Sequence, residues 1–270
     1  MNGRAAAAVC ALLLTIGCAP RLLKLPTGPL APASDARDAV ADATAACHAV
    51  SSLSAEIAVS GSVGGRGFRG RLQGGVAKPA SARLEAVAPF GAPIFILVVR
   101  GNDATLLLPR DDRVLQHGRP ADVLEAVAGV PLDASDLLTT LTGCVVAPDL
   151  ESGATVGGSN DSRDWRVVKD GPADVYVRRD PNAGRWHIVA VVRSGADGWR
   201  AEYKDFEDGL PRTIRLVSAD PKRFDLRLSL SQVDVNPQLG PDVFRVDIPR
   251  SATPITLNEL RDARPGVRKS

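Results

Sequence analysis

Residues 223–231 alternate between apolar and polar side chains, and this pattern restricts the segment to a β-strand with one buried face. The apolar members are Phe224, Leu226, Leu228 and Leu230. Successive side chains of a strand point to opposite faces of a sheet, so one face is predicted to be apolar and the other solvated. Val233 and Val235 fall on the other parity, which predicts a bulge near Gln232.

Other segments share the features of short strands, because each is an apolar or alternating run that ends near Gly, Pro or Asp. With 223–235 as the last, they lie near 53–63, 66–77, 81–88, 93–100, 103–109, 164–169, 173–179, 185–193, 198–205 and 212–218. The total is about eleven strands, and short strands joined by tight turns favour an antiparallel sheet. We therefore expect a mostly β (α+β) fold whose curved sheet forms an open half-barrel.

Helices are predicted at two places along the chain. Ser34 is a suitable N-cap for an alanine-rich helix that runs to about residue 50. A helix pair, from Pro120 to Ala128 and from Ala134 to Leu141, follows the fifth predicted strand. The run from Ile94 to Val99 is apolar on both faces, so helices or a bound ligand must cover it on both sides. The predicted helices are therefore candidates for that cover.

The first residues resemble a bacterial lipoprotein signal peptide. Arg4 precedes an apolar run from Ala5 to Ile16, which ends at Gly17 and Cys18. About a dozen apolar residues suit a signal peptide, whereas a transmembrane helix needs about 20. A small residue before a cysteine resembles the lipobox, whose cysteine receives a diacylglycerol before cleavage, although Thr15 stands where leucine is usual. An ordinary secretory signal with an incidental cysteine is the alternative.

Cleavage at the lipobox would leave a lipid on Cys18 and a proline-rich segment after it. The predicted divisions are a signal peptide at 1–17, a lipidated tether at 18–33, a folded domain at 34–250 and a C-terminal extension at 251–270. In the enteric sorting rule an aspartate after the cysteine retains a lipoprotein in the inner membrane. Ala19 stands there instead, which favours the periplasmic face of the outer membrane over the inner membrane.

Two cysteines would remain after Cys10 is removed and Cys18 is acylated. Cys47 and Cys144 would then lie in an oxidising compartment, and we expect a disulfide between them. Two buried free thiols are the alternative. Their separation is not a metal-ligand spacing, so no metal site is predicted.

The sequence shows no catalytic motif. Its three histidines, His48, His117 and His187, have no metal-ligand spacing, and neither GxSxG nor a P-loop is present. Residues 65–70 match GxGxxG but lie in a predicted hairpin with no following helix, so their glycines are expected to permit a turn and strand curvature. The near-neutral formal charge of +2 argues against nucleic-acid binding. We expect a non-enzymatic protein without a cofactor.

The order of lipobox, helix, strands, helix pair and strands resembles the LolA/LolB lipoprotein-carrier fold, and several segments resemble LolB. These are Arg83-Leu84-Glu85 running into Ala88-Pro89-Phe90-Gly91, Pro120 to Leu132, Gly198-Trp199-Arg200 with Tyr203, Leu210 to Leu216, and Phe224 to Val235. No single segment is specific, and the shared order carries the resemblance over about 50–235. The chain departs from LolB after residue 236, where it continues past the usual end of that family.

The resemblance implies a hydrophobic cavity between the sheet and the helical lid, which shelters the acyl chains, palmitate among them, of other lipoproteins. The predicted lining residues are Leu84, Phe95, Leu97, Leu106, Leu108, Trp186, Ile188, Trp199, Tyr203, Ile214, Leu216, Phe224, Leu226 and Leu228. An ordinary packed core is the alternative for part of this set.

Phe90 is the candidate for insertion into a membrane. Pro89, Gly91 and Pro93 predict a turn around it, and the matching LolB loop presents an exposed leucine that delivers lipoproteins into the membrane. The alternative is that Phe90 folds back into the core.

Two functions are expected from the resemblance. The first is a monomeric LolB-like protein that receives lipoproteins from a soluble periplasmic carrier and helps insert them into the outer membrane. The second is a non-enzymatic lipid-binding, sensing or assembly lipoprotein of the same fold, which the extra C-terminal segment favours.

Overall fold

The computed structural model describes residues 21–88, 93–145, 155–159, 162–170, 172–195, 197–220 and 222–262. Cys18 and Phe90 lie outside these ranges, so the structure does not bear on the predictions made for them.

The described residues form one large sheet with helices packed on it. The strands are β1 (Leu30–Ala31), β2 (Ser52–Val63), β3 (Arg66–Ala77), β4 (Ser81–Val87), β5 (Phe95–Arg100), β6 (Asp103–Leu108), β7 (Arg113–Gly118), β8 (Thr155–Ser159), β9 (Ser162–Asp170), β10 (Ala173–Arg179), β11 (Trp186–Arg193), β12 (Trp199–Glu207), β13 (Leu210–Ser218), β14 (Phe224–Val235) and β15 (Thr253–Pro254). The helices are α1 (Ala36–His48), α2 (Pro120–Ala128), α3 (Ala134–Thr142) and α4 (Leu257–Asp262).

The sheet is open and almost entirely antiparallel. Its strand order is β1-β8-β9-β10-β11-β12-β13-β14-β2-β3-β4-β5-β6-β7-β15, and β15 runs parallel to β7. The two end strands, β1 and β15, lie at opposite edges, so the sheet does not close. The predicted mostly β architecture with an open, curved, largely antiparallel sheet is therefore confirmed.

The predicted number of strands is wrong, because the described residues contain fifteen strands and the prediction was about eleven. The additional strands are β1, β7, β8 and β15. Two of them are two residues long, and the glycine-rich β8 lies in a segment for which no strand was predicted. β7 has few apolar residues, so its pairing with β6 is not visible as alternation. The helix pair consequently follows the seventh strand and not the fifth.

Helices α1, α2 and α3 pack on one face of the sheet, which we call the inner face. α1 contacts β8 to β11, α2 contacts β6, and α3 contacts β3, β4 and β13. Leu97 and Val98 alternate across β5, and they are 1% and 5% exposed. Both faces of this strand are therefore covered, as its apolar sequence requires.

The N-terminal segment lies on the opposite, outer face. The Leu23 N–H donates to Glu202 Oε1 at 2.7 Å, and the Arg200 guanidinium donates to both the Leu23 carbonyl and the Glu202 carboxylate. Glu202 is only 2% exposed, and its neighbours Ala201 and Tyr203 belong to the inner-face core. Further along, β1 pairs with β8. Part of the segment predicted as a tether is thus bonded to the domain.

The C-terminal segment crosses the outer face farther along the sheet. Arg83 donates to the carbonyls of Val243 and Arg245 at 3.2 and 2.6 Å. Through β15 the segment then pairs with β7, and α4 follows and contacts α2. Ile255 and Leu260 join the hydrophobic core. Residues of the predicted C-terminal extension therefore contribute to the folded body.

A disulfide joins two of the inner-face helices. Cys47 lies in the last turn of α1, and Cys144 directly follows Gly143 at the end of α3. Their Cα atoms are 5.4 Å apart, and 97 positions separate them in the sequence. His48 stands beside the two sulfur atoms, but sulfurs bonded to each other offer no thiolate to a metal ion.

Replacing both cysteines (Cys47→Ser with Cys144→Ser) should lower the free energy of unfolding by about 2–5 kcal/mol, because the bond closes a long loop in the unfolded chain. Urea denaturation followed by circular dichroism measures the change. Adding a reductant should shift the parent protein in the same direction and leave the double variant unaffected. An unchanged midpoint in the double variant would contradict the stabilising role.

Candidate functional site

The inner face carries one continuous hydrophobic cluster, and all residues predicted to line a cavity belong to it. Leu84, Leu97, Leu106, Ile188, Tyr203, Ile214, Leu216, Phe224 and Leu226 are each at most 5% exposed. Phe95, Leu108, Trp186, Trp199 and Leu228 are half-buried and pack against the cluster. The structure therefore brings the predicted set together, and in this state most of its members are packed against neighbours.

Cross-strand pairing explains why these side chains meet. In one arm of the sheet, formed by β4, β5 and β6, Leu84 pairs with Leu97, which pairs with Leu106. In the other arm, formed by β12, β13 and β14, Tyr203 pairs with Ile214, which pairs with Leu228. Directly paired residues have their Cβ atoms about 4.5–5.5 Å apart on the same face, so each row forms a continuous apolar ladder across several strands.

β2 and β3 join the two arms, and glycines permit their close packing. Gly61 has a φ of +139°, and a Cβ there would lie 1.9 Å from the Asp225 carbonyl oxygen of β14. A Cβ on Gly74 would lie 3.2 and 3.3 Å from methyl carbons of Ile57 and Leu84. Gly61 therefore requires glycine, and at Gly74 a larger side chain would have to displace these methyl groups.

Two short helices cover this face, and each ends at a glycine in the left-handed region. α2 and α3 are nine residues long, and Gly129 and Gly143 at their C-caps have φ values of 78° and 75°. Asp133 caps α3 by accepting the Asp136 N–H, and the Asp136 side chain accepts the Asp133 N–H in return. These signals fix the ends of the helices through backbone hydrogen bonds.

A cleft of about 200 Å³ lies between α3 and the strands β10, β11 and β12. Its lining residues are Asp136, Thr139, Thr140, Val145, Ala173, Val191, Arg193 and Trp199. The Arg193 guanidinium carbon lies 5.9 Å from the centroid of the Trp199 ring, a cation–π distance. Burial, followed by the charge of Asp133, raises the pKa of Asp136. The cleft is smaller than the roughly 300–1,000 Å³ of typical ligand pockets.

Tyr203 places a polar group inside the apolar cluster. Its side chain is 1% exposed, and its hydroxyl has no hydrogen-bond partner in the described structure. Burial raises the pKa of this hydroxyl, so it stays protonated and able to donate. The ring lies beside Gly143, where a Cβ would be 3.8 Å from two of its carbons. An unpaired buried hydroxyl costs about 1–3 kcal/mol, so a polar ligand atom reaching Tyr203 would remove this cost.

His187 is half-buried at the end of the sheet near α1. Its ring stacks on Phe206 with a centroid distance of 4.2 Å, and burial lowers its pKa. The neighbouring Trp186 N–H donates to Asp42 of α1. These contacts hold β11 against α1 and give His187 a packing role beside the cluster.

The sequence predictions omitted the helical part of the site. Leu124, Leu138 and Leu141 are buried in the same cluster, and so are Ile57 and Val59 of β2. The alternation of β2 was a usable signal for the last two. The helical residues needed knowledge of which face the helices would cover, which periodicity alone does not supply.

Comparison with solved structures identifies the fold. No protein-family profile and no curated protein matches the sequence. The chain is similar to a LolA superfamily protein from Nitrosomonas europaea, with a TM-score of 0.52, 13% identity and coverage of 78% of this chain and 97% of that one. At this identity the likeness establishes the fold alone. The chain therefore has the LolA-like fold, and the likeness does not single out LolB.

Two further solved structures are more distant. A putative outer membrane lipoprotein-sorting protein domain from Vibrio parahaemolyticus has a TM-score of 0.46 and 12% identity, and covers 77% of this chain and 94% of that one. A DUF1329 family protein from Desulfovibrio piger has a TM-score of 0.47 and 12% identity, and covers 79% and 98%. Among the described helices, none is long and apolar enough to cross a bilayer.

Replacing Tyr203 by phenylalanine should leave the free energy of unfolding unchanged or raise it by about 1 kcal/mol, because the substitution removes an unpaired hydroxyl and keeps the ring. Urea denaturation measures this effect. Tyr176→Phe is the matched control, since Tyr176 is half-buried on another strand and should change stability by less than about 0.5 kcal/mol. Destabilisation by Tyr203→Phe of more than about 1 kcal/mol would show that the hydroxyl has a partner.

Proposed function

We propose that this chain is a non-enzymatic, lipid-anchored envelope protein that shelters the acyl chains of other lipoproteins on the inner face of its sheet. In its specific, LolB-like form, the protein receives lipoproteins from a soluble periplasmic carrier and helps insert them into the outer membrane. The observation that carries the proposal is the continuous apolar cluster of the inner face beneath two short helices. The shared fold with a LolA superfamily protein supports it.

The energetics of acyl transfer favour such a surface. Exposing a 16-carbon chain to water costs on the order of 12 kcal/mol, at about 0.8 kcal/mol per methylene, and a lipoprotein carries several chains. A carrier must therefore offer a continuous apolar surface and needs no bond-making chemistry. The ladders of paired apolar side chains in the two arms provide such a surface.

Binding requires the helices to move away from the sheet, because the inner-face residues are packed in the closed state. We place the opening at α2 and α3, whose ends are Gly129 and Gly143. The cleft beside Trp199 is the proposed entrance, since it already separates α3 from three strands. The Tyr203 hydroxyl would then donate to an ester or amide carbonyl at the head of the acyl chain.

Anchoring is part of the proposal. A lipid on Cys18 would hold the protein, as a monomer, on the periplasmic face of the outer membrane. Phe90 would insert into that membrane when cargo is delivered.

The C-terminal segment favours a second candidate, a lipid-sensing or assembly lipoprotein of the same fold. Residues 237–262 cross the outer face, where Arg83 bonds their carbonyls, and they reach α2 through α4. This surface offers a partner protein a place to bind apart from the inner face. The two candidates share acyl binding and differ in whether lipoproteins are delivered.

Phe95→Gln should weaken binding of a fluorescent acyl probe by about tenfold or more (~1.4 kcal/mol), because it places an amide on the half-buried rim of the inner face. Ile96→Gln is the matched control, since Ile96 is half-buried on the other face of the same strand. Fluorescence titration measures both variants, and mass spectrometry of the purified parent should detect co-purified acyl lipid. Equal effects of the two substitutions, or no binding by the parent, would refute the inner-face site.

Phe90→Glu should block lipoprotein delivery, because a carboxylate does not readily enter the membrane interface. If Phe90 has the proposed inserting role, the substitution should change stability by less than about 0.5 kcal/mol, as surface substitutions do. Delivery is measured by membrane fractionation in cells depleted of the parent and supplied with the variant.

A large fall in the melting temperature of Phe90→Glu would instead indicate a core residue. If lipoproteins still reach the outer membrane after depletion of the parent, the delivery function is wrong. Acyl binding by the same protein would then support the sensing or assembly candidate.

A further inference from the structure

The turn between β2 and β3 lies at one end of the sheet. The two strands pair as far as Val63 with Arg66, and Gly64 and Gly65 make the two-residue turn with φ values of 59° and 73°. The Gly64 N–H donates to the carbonyl of Arg223 at 2.8 Å, so the β13–β14 turn lies beside this tip. The hairpin tip, residues 64–69, is exposed throughout.

Apolar side chains are exposed at this end. Among the described residues, the large exposed apolar side chains are Leu22, Phe68, Ile94, Val235 and Ile248. Phe68, at 37% exposure, is the aromatic one, and Ile94 is 48% exposed. The Phe68 ring lies along its own strand, where a Cβ on Gly70 would be 3.8 Å from it. Ile94 donates its N–H to Ala86, near the same end of β4.

The charge of the hairpin tip is positive. Residues 63–71 contain Arg66, Arg69 and Arg71 and no acidic residue, and exposed Lys222 lies in the adjacent turn. Several carboxylates lie nearby and pair with arginines of this end. Glu56 pairs with Arg71 of the hairpin itself, Asp225 pairs with Arg215, and both Glu125 and Asp197 pair with Arg223. Asp220 accepts the Lys222 N–H of its own turn. Exposed Arg69 and Lys222 therefore supply the positive charge on which the docking argument depends.

We propose that the β2–β3 hairpin tip docks on an anionic phospholipid bilayer, with Phe68 in the interface and with Arg69 and Lys222 at the lipid phosphates. Aromatic rings suit the boundary between headgroups and acyl chains, and each basic side chain gains from the negative surface potential of anionic lipids. The two-glycine turn adds no bulk at the tip. The glycine-rich sequence at 65–70 would then serve as a narrow membrane-contacting hairpin, a role separate from acyl binding on the inner face.

Vesicle co-sedimentation tests the electrostatic part. We would use the full chain with Cys18→Ala, so that all variants lack the lipid, and vesicles of phosphatidylcholine with or without phosphatidylglycerol. Arg69→Glu and Phe68→Ser should each weaken partitioning onto the anionic vesicles by roughly tenfold or more. Arg185→Glu is the matched control, since this exposed arginine lies in the β10–β11 turn at the opposite end of the sheet.

Depth-dependent quenching tests the insertion of Phe68. Brominated lipids should quench a larger fraction of tryptophan fluorescence in Phe68→Trp than in the parent, whose own tryptophans set the background. Val235→Trp should not, because Val235 is an exposed apolar residue paired with Leu53 at the other end of the sheet.

The docking proposal would be wrong if Arg69→Glu and the parent partition equally onto anionic vesicles, or if tryptophans at positions 68 and 235 are quenched equally. It would also be wrong if Phe68→Ser abolishes self-association of the parent but leaves vesicle binding intact. Acyl-probe binding should stay unchanged in Arg69→Glu, because Arg69 pairs with Ser60 on the outer-face parity of the hairpin. If the parent binds the acyl probe but does not bind anionic vesicles, this proposal alone is wrong. If the parent binds vesicles but not the acyl probe, the proposed function is wrong instead.

Discussion

The inner face of the sheet is apolar from β4 to β6 and from β11 to β14, and it cannot remain exposed to water in a stable protein. The rest of the architecture depends on covering it. α1, α2 and α3 supply that cover, and the Cys47–Cys144 bond ties the end of α1 to the end of α3. The same cover that stabilises the closed protein would have to yield to an acyl chain, so stability and binding oppose each other at this face.

Strict alternation made the central strands predictable. β14 shows four leucine or phenylalanine positions in register, and such a strand has one apolar face in any sheet that contains it. β1 and β15 carry no comparable signal, because two residues have no periodicity, and their pairing depends on distant segments that reach the edges. The glycines of β8 indicate a loop, although tertiary pairing with β9 overrides that preference.

The apolar part of the site was likewise readable from alternation, since residues such as Ile214 and Leu97 had to share one buried face. The details that give the site its chemistry were not. The unpaired hydroxyl of Tyr203 belongs to a ring that lies beside Gly143 at the end of α3, and no local pattern specifies which helix lies over which strand. The contact between Arg193 and Trp199 depends on the register of β11 with β12, which pairs these two residues. Long-range bonds such as Arg83 to Val243 are invisible to sequence for the same reason.

The hydrogen bonds of Leu23 with Glu202 and Arg200 fix the point at which the N-terminal segment leaves the folded domain. They therefore limit the length of free chain between residue 18 and the domain. A free chain from residue 18 to residue 33 would span up to about 50 Å, but the stretch from residue 18 to residue 23 spans at most about 18 Å. If Cys18 carries a lipid, the linker between that lipid and the folded domain is therefore short. The outer face near β12 would stay within about 18 Å of the membrane surface, and the domain could rotate about this attachment but not move far from the membrane.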